Sequence, residues 1–458
     1  MDVGTFELDR CSGTHLSMVH HRGNNLHIVA TSTALLTDHY ELTMLEAALR
    51  SGAAHRRAVF EVFARRLPEG RRYGIVAGTG RVLDALENFR FGPEELDFLR
   101  ERRIVDESTL RWLSEYRFSG DVYGYREGDV YFPGSPILVV EGTFAEAVML
   151  ETVILSILNH DCAIASAASR MTHAAGGRPL IEMGSRRTHE MAAVASARAA
   201  YIAGFATTSN LAAGRRYGIP TAGTAAHAFT LLHDSEADAF KAQLASLGPG
   251  TTLLVDTYDV EQAVRTAVEL AGHRLGAVRI DSGDLALAAG EVRRLLDALG
   301  ADQTRIVVTG DLDEHSIAAL AVAPVDGYGV GTSLVTGSGA PTASLVYKLV
   351  ARADESGELK PVAKRSVGKP SVGGRKHAYR RFDESGTAVA EIVCAHCDVP
   401  GPSDRPLLAQ LVSGGEIVGR EPLADARARH ARAIAELPAP ALQLSRGDVA
   451  IPTTLITA

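Results

Sequence analysis

Ala277-Val278-Arg279-Ile280-Asp281-Ser282-Gly283-Asp284 is a short apolar run that stops abruptly in polar residues and leads into a helix-like stretch. The same pattern recurs along the chain. Residues 179–183 end in Gly184-Ser185-Arg186, residues 219–224 in Ala226-His227, and residues 252–255 in Asp256-Thr257-Tyr258-Asp259. Residues 305–308 end in Thr309-Gly310-Asp311, and residues 327–330 in Gly331-Thr332-Ser333. From Asp256 to Asp281 is 25 residues, from Asp281 to Thr309 is 28, and from Thr309 to Gly331 is 22. That is the pace of repeated βα units, which build a parallel sheet or barrel. Behind Asp259, Val260, Ala263, Val264, Ala267 and Val268 form the apolar stripe of a helix. Six strands are legible rather than eight, so an irregular α/β barrel is expected, with an open doubly wound sheet as the alternative. The polar strand ends favour the barrel, because active sites of parallel α/β folds lie there.

Outward from this segment the rhythm changes. The expected division is a loose arm over 1–28, a β-rich domain over 29–150, the α/β barrel over 151–345, and a C-terminal region over 346–458 that completes the first domain. Residues 58–63, 121–125 and 136–140 read as strands. Residues 40–51 read as a helix that Asp38 can cap, with Leu42, Leu45 and Leu49 on one face. Toward the end come a basic stretch over 364–376, a hairpin over 377–393 and an Ala/Arg-rich helix over 424–436.

Composition narrows the class. The 458 residues are 46% hydrophobic and 22% charged, which excludes a mainly disordered chain. Lys plus Arg is 47 against 55 for Asp plus Glu, a net charge of -8, so a globally basic nucleic-acid binder is not expected. The longest apolar stretch, 144–158, is interrupted by Glu146 and Glu151, whereas a membrane span wants ~20 apolar residues with almost no charge. Cys11, Cys162, Cys394 and Cys397 are too few for a disulfide scaffold and fit a reducing cytoplasm.

Several motifs are missing. There is no phosphate-binding P-loop, no early Gly-x-Gly-x-x-Gly and no Gly-x-Ser-x-Gly elbow. Cys394-Ala395-His396-Cys397 has zinc-like spacing at one end only, and a structural zinc needs four ligands. His227 stands just past a strand, with Asp256 and Asp281 at the same end of later strands. A carboxylate beside an imidazole fixes its tautomer and stabilises its cation, which suits a nucleophilic or acid–base histidine; the plainer alternative is a packed or solvated side chain. Arg279 and Asp281 flank Ile280 and share a face. Asp281 or Ser282 either caps the next helix or belongs to the site. The glycines from Gly327 to Gly331 either serve a tight corner or let backbone N–H groups approach a phosphate.

Together, Thr37-Asp38-His39-Tyr40, Arg186-Arg187, Thr208-Ser209-Asn210, Gly223-Thr224-x-x-His227, Asp256-x-x-Asp259, Arg279-x-Asp281-x-x-Asp284 and Gly329-x-Gly331-Thr332-Ser333 resemble the nicotinate phosphoribosyltransferases, in family order from about 30 to 380. The resemblance implies a type II phosphoribosyltransferase fold, an irregular α/β barrel plus a β-rich open-faced sandwich domain built from both chain ends. It implies formation of nicotinate mononucleotide from nicotinate and phosphoribosyl pyrophosphate with Mg²⁺, in NAD synthesis, with ATP hydrolysis coupled through a phosphohistidine. It places that phosphohistidine at His227 and its aspartate at Asp256; Asp281, at the same end of a later strand, is a further catalytic candidate. It makes Tyr40 a ring stacked on the pyridine of a neighbouring subunit in a homodimer with shared sites. Arg186, Thr224 and Arg279 match base or ribosyl-pyrophosphate contacts, Gly331 and Thr332 a phosphate cradle, and the basic stretch a segment near the diphosphate. Met183 replaces the family's usual aromatic, Thr207 stands where glycine is usual, and the last hundred residues align little.

Acid or amide is the remaining choice. Related nicotinamide enzymes carry an aspartate in the Phe-x-x-Thr-x segment, where this chain has Ser209. A hydroxyl can donate to a carboxylate and brings no charge; the alternative is that Ser209 caps the helix beginning near Leu211. The rivals are a nicotinamide or quinolinate phosphoribosyltransferase, a barrel isomerase or lyase (which would want a Lys or Glu base at a strand end), and a non-catalytic barrel that binds pyridine or nucleotide.

Overall fold

The computed structural model describes residues 32–364, 372–395, 401 and 404–456. The expected arm over 1–28, Cys11, residues 365–371 of the basic stretch, and His396 and Cys397 lie outside the described residues.

The repeated apolar runs form one parallel sheet in the order Thr207–Thr208, Leu180–Glu182, Gly327–Val330, Arg305–Val308, Ala277–Ile280, Thr252–Leu254. Strands covered on both faces read as continuous apolar runs, and Val278, Ile280, Ile306, Val308, Tyr328 and Val330 are all fully buried. The helix Val260–Ala271 lays Ala263, Val264, Ala267 and Val268 into the same core, and Asp259 caps it by accepting the Gln262 N–H at 2.8 Å. Asp284 caps the next helix, Leu285–Ala298, through the Leu287 N–H at 3.1 Å. Asp281 and Ser282 are thereby released from capping.

One strand assignment needs correction. Residues 219–224 contribute a single parallel bridge, Thr221 to Thr208, and the sixth strand is Thr207–Thr208. Pro220 has no N–H to give a ladder. Its carbonyl accepts the Thr208 N–H at 3.0 Å, and the Ala222 N–H returns to the Thr208 carbonyl at 3.0 Å. A two-residue strand has no alternation to read. The sheet curls far enough for the segment after Thr221, at one edge, to meet the strand Thr252–Leu254 at the other: His227 bonds to Asp256 across that seam.

Both ends of the chain share a second, antiparallel sheet. Its order is Leu359–Pro361, Leu345–Ala353, Arg57–Ala64, Leu138–Thr143, Asp121–Gly124, Ala409–Ser413, Glu416–Ile417. Phe60 stacks on Tyr347 across adjacent strands at 4.8 Å. The hairpin His377–Phe382 with Ala388–Cys394 joins Asp404–Pro406 and Thr453–Ile456 in a further sheet. Arg375 pairs with Glu141 at 2.9 Å and Lys376, buried, with Glu61 at 2.6 Å. These two cations of the basic stretch are committed to the antiparallel sheet. Cys394 is buried and disulfide-bonded, and no group of three or more His, Cys, Asp or Glu side chains fit to hold a metal occurs among the described residues.

The helix Glu151–Ala174 contributes to both apolar cores, Ile154 and Leu158 to that of the antiparallel sheet and Ile164 and Met171 to that of the parallel sheet. With the preceding residues from Phe144 it is long and apolar enough to cross a membrane by composition, yet 61% of its most apolar window is buried inside the fold. Some of its polar positions are satisfied internally: Asp161 Oδ1 pairs with Arg81 at 2.7 Å, while Asp161 Oδ2 is buried without a partner among the described residues, and Ser169 bonds to Tyr73 at 3.0 Å and to His430 at 2.9 Å.

His430, on the helix Leu423–Ala435, carries a pH signature. Burial, and then Arg427, lower its pKa from 6.5 to about 4. Between those values the unfolded chain binds the extra proton and the folded chain does not, so stability falls as pH drops through the window. The full effect is about 3 kcal/mol. His430→Gln is expected to flatten the fall of Tm between pH 6.5 and pH 4; parallel slopes for the two proteins would contradict this.

Candidate active site

The C-terminal ends of the parallel strands converge on His227. It is the first residue of the helix His227–Leu232, and its Nε2 lies 3.1 Å from Asp256 Oδ1. Asp256 is itself held: Oδ2 accepts the Asp281 N–H at 2.8 Å and the Ser282 hydroxyl at 2.8 Å. Its side chain is 3% exposed and that of His227 is 40% exposed. A buried acceptor so fixed keeps the proton of His227 on Nε2 and leaves Nδ1 as the basic nitrogen. Nδ1 has no hydrogen-bond partner among the described residues.

Arg279 stands two residues before Asp281, on the same face. Its Nη1 donates to the Thr224 hydroxyl at 2.6 Å, and its Nε is buried without a partner among the described residues. Burial pulls its pKa down; Asp281 and Asp256 oppose this, and Arg186 adds to it. Arg186 and Arg187 make no ion pair among the described residues. Arg186 shares a pocket of about 200 Å³ with Asp281, Thr309, Asp311, Gly331 and Thr332. Asp281 accepts the Thr309 hydroxyl there. Gly329 must lack a side chain, since a Cβ would stand 2.5 Å from Thr309 Cγ2 and 2.7 Å from Met183 Sδ.

Ser209 ends the edge strand, its N–H donating to the Glu182 carbonyl at 2.8 Å. The helix Leu211–Tyr217 is capped by Asn210, which accepts the Ala213 N–H at 2.9 Å, so the capping role offered for Ser209 falls away. The Ser209 hydroxyl has no partner among the described residues and the residue is exposed.

Tyr40 is not brought to this cluster within one chain. It is 44% exposed on the helix His39–Ser51, and its pKa is raised to about 12 by partial burial and then by Glu151 and Glu41. Asp38 stands at the start of that helix but makes no side-chain cap.

Two carboxylates were not anticipated in these roles. Glu182, fully buried, ties its own strand to the edge strand Thr207–Thr208 by accepting the Thr208 hydroxyl, and it also accepts the Gly184 N–H; burial pushes its pKa up. Its signal was legible, as an acid inside an apolar strand. Glu236 has a buried, unpartnered Oε1, and burial followed by Asp259 and Asp256 raises it to about 6. An acid in a helix's first turn is ordinary, so nothing in the sequence marked it. Three free or half-free cations, three strand-end aspartates and an oriented imidazole suit a phosphate-rich substrate and a nucleophilic histidine.

Comparisons with known proteins bear on this site. The family model for the nicotinate phosphoribosyltransferase (NAPRTase) N-terminal domain matches residues 35–159. Nicotinate phosphoribosyltransferase pncB1 of Mycobacterium tuberculosis (strain ATCC 25618 / H37Rv) is 60% identical over 434 residues, 93% of this chain and 95% of that protein. The nicotinate phosphoribosyltransferase of Bacillus subtilis (strain 168) is 38% identical over 77% of this chain and 74% of its own. Among solved structures, human nicotinic acid phosphoribosyltransferase superposes with a TM-score of 0.79 at 25% identity, covering 92% of this chain and 97% of that one. Nicotinate-nucleotide pyrophosphorylase from Pyrococcus furiosus superposes with a TM-score of 0.72 at 25% identity, covering 92% and 99%.

Proposed function

We propose, from the premise that the chain belongs to the nicotinate phosphoribosyltransferase family, that His227 is the residue through which ATP drives its reaction. The protein is an enzyme of that family, joining nicotinate to phosphoribosyl pyrophosphate in NAD biosynthesis. The observation that carries the ATP reading is the His227–Asp256 bond at 3.1 Å, with the other Asp256 oxygen fixed by Asp281 and Ser282.

In the phosphoribosyl transfer, the pyridine nitrogen attacks C1 of the ribose, the C1–O bond breaks, and pyrophosphate leaves with that electron pair. The nitrogen is already nucleophilic, so the protein's task is placement. Arg279 and Arg186 face the charge that grows on the leaving group. In the phosphorylation step, His227 Nδ1 attacks the γ-phosphorus of ATP and ADP leaves. Nε2–H stays on the ring, and Asp256 stabilises the resulting charge.

Mg²⁺ belongs to this proposal. It takes oxygen ligands and is commonly held by one or two carboxylates plus substrate phosphates. Asp281 and Asp311 in the shared pocket are such carboxylates. Bound there, it would neutralise charge on the leaving pyrophosphate.

A homodimer with shared sites follows from Tyr40. Tyr40 and Met44, four residues apart on the helix His39–Ser51, are 44% and 36% exposed, and Leu36, in the short 3-10 turn before it, is 60% exposed. Exposed apolar side chains of this kind suit an interface. Sedimentation under assay conditions is expected to give a dimer, and Tyr40→Ala to raise the KM for nicotinate; a fully active monomer would refute the shared site.

The whole reading is tested by incubating the protein with nicotinate, phosphoribosyl pyrophosphate and Mg²⁺, with and without ATP. Nicotinate mononucleotide should form in both cases and faster with ATP. No ATP effect would remove the coupling, and no product with nicotinate would remove the site assignment.

A further inference from the structure

Gly331-Thr332, the phosphate cradle of the proposed site, opens a helix of only four residues, Thr332–Val335. A single turn does not hold itself in water. Its far end is closed by two residues in the left-handed region, Gly337 at φ 63° and Ser338 at φ 52°. The Gly337 N–H donates to the Leu334 carbonyl at 2.9 Å, and the Ser338 N–H to the Ser333 carbonyl at 2.6 Å. Gly337 is required here, since a Cβ would stand 2.2 Å from the Ala340 carbonyl oxygen. Ser338 has no such freedom, and a non-glycine residue in this region persists only where its surroundings hold it.

What holds it is a buried ion cluster. The Ser338 hydroxyl donates to Glu314 Oε2. Glu314 Oε1 accepts from Arg71 Nη1 at 2.9 Å and Arg170 Nε at 3.0 Å. Arg71 Nη2 reaches the Gly337 carbonyl at 2.8 Å, and Arg170 Nη2 the Leu444 carbonyl at 3.1 Å. Glu314, Arg71 and Arg170 are 3%, 7% and 6% exposed. Burial alone would raise the Glu314 pKa, but the Ser338 hydroxyl and then Arg71 hold it below the ordinary carboxylate value.

A buried pair is weak evidence for stability and better evidence for fixed registry. Here two of the cluster's bonds end on residues 337 and 338, within two turns of the cradle. We propose that Glu314, with Arg71 and Arg170, positions the Gly331-Thr332 cradle through Ser338, and so governs affinity for the phosphates of phosphoribosyl pyrophosphate rather than the chemical step. This rests on the reading of Gly331 and Thr332 as phosphate contacts.

The test compares Ser338→Ala, which removes the hydroxyl, with Ser338→Gly, which removes it and also relieves the backbone. Thr332→Val tests the cradle itself. All are assayed beside the wild type with either substrate varied. Both Ser338 variants are expected to raise the KM for phosphoribosyl pyrophosphate about five- to tenfold, with kcat and the KM for nicotinate close to wild type and a modest fall in Tm, because the buried Glu314 loses a donor. Thr332→Val should raise the same KM. If Thr332→Val alone raises it, the positioning role is wrong; if Thr332→Val leaves it unchanged, the cradle reading fails and the inference with it. A joint rise of both KM values would mean a general structural tie and would overturn the proposal.

Discussion

His227→Ala is expected to lose ATP hydrolysis by at least about a thousandfold, the order expected when a nucleophile is removed, while slow ATP-independent formation of nicotinate mononucleotide persists. The two outcomes separate because the two reactions use different atoms. In the proposed mechanism pyridine attack on the ribose needs placement by Arg279, Arg186 and the phosphate contacts, none of which bonds to His227. Phosphorylation needs Nδ1, which the Asp256 bond on Nε2 leaves available. Asp256→Asn tests the same geometry more gently. An amide can hold the ring but can present an N–H to Nε2 and favour the wrong tautomer, a change that costs up to about ten-thousandfold in a comparable His–Asp pair. Paired rates of ADP release and product formation for both variants check this. Equal losses in both rates for His227→Ala would mean that His227 belongs to the phosphoribosyl transfer itself.

Ser209→Asp is expected to exchange the substrate. Nicotinate carries a carboxylate where nicotinamide carries an amide with N–H donors. An acid at position 209 would repel the first and accept a hydrogen bond from the second. The fold leaves this position free for the role: Asn210 caps the following helix, and Ser209 is exposed at the end of the edge strand beside Glu182. A like-charge juxtaposition costs several kcal/mol, and about 1.4 kcal/mol is tenfold. The kcat/KM for nicotinate should therefore fall at least about a hundredfold, with some nicotinamide use gained. The check is kcat/KM for both bases in both proteins, with fold verified by Tm. An unchanged nicotinate value would mean that Ser209 does not face the base.

These predictions come from features that were unevenly visible in the chain. Strands such as Ala277–Ile280, Arg305–Val308 and Gly327–Val330 were legible because a buried parallel strand reads as an apolar run with polar residues at its end. Thr207–Thr208 was not, because two threonines carry no period, and Pro220 sat in a run that looked like a strand but lacked a donor. The pairing of His227 with Asp256 was readable from their common place at strand ends. The choice between cap and site for Asp281 and Ser282 was not, since both roles want the same residue types; the structure gives the capping to Asp284. The ion cluster at Glu314 joins residues 71, 170, 314 and 338. Contacts across 243 positions of chain leave no local pattern to read.

The central claim is that His227 carries the phosphoryl group. Incubation with ATP labelled in its γ-phosphate, an alkaline quench and peptide mapping by mass spectrometry test it most directly. An acid-labile phosphate is expected on His227, absent in His227→Ala and discharged when nicotinate and phosphoribosyl pyrophosphate are added. Labelling of His227→Ala to the wild-type level, or a phosphate mapped to any other residue, would contradict it.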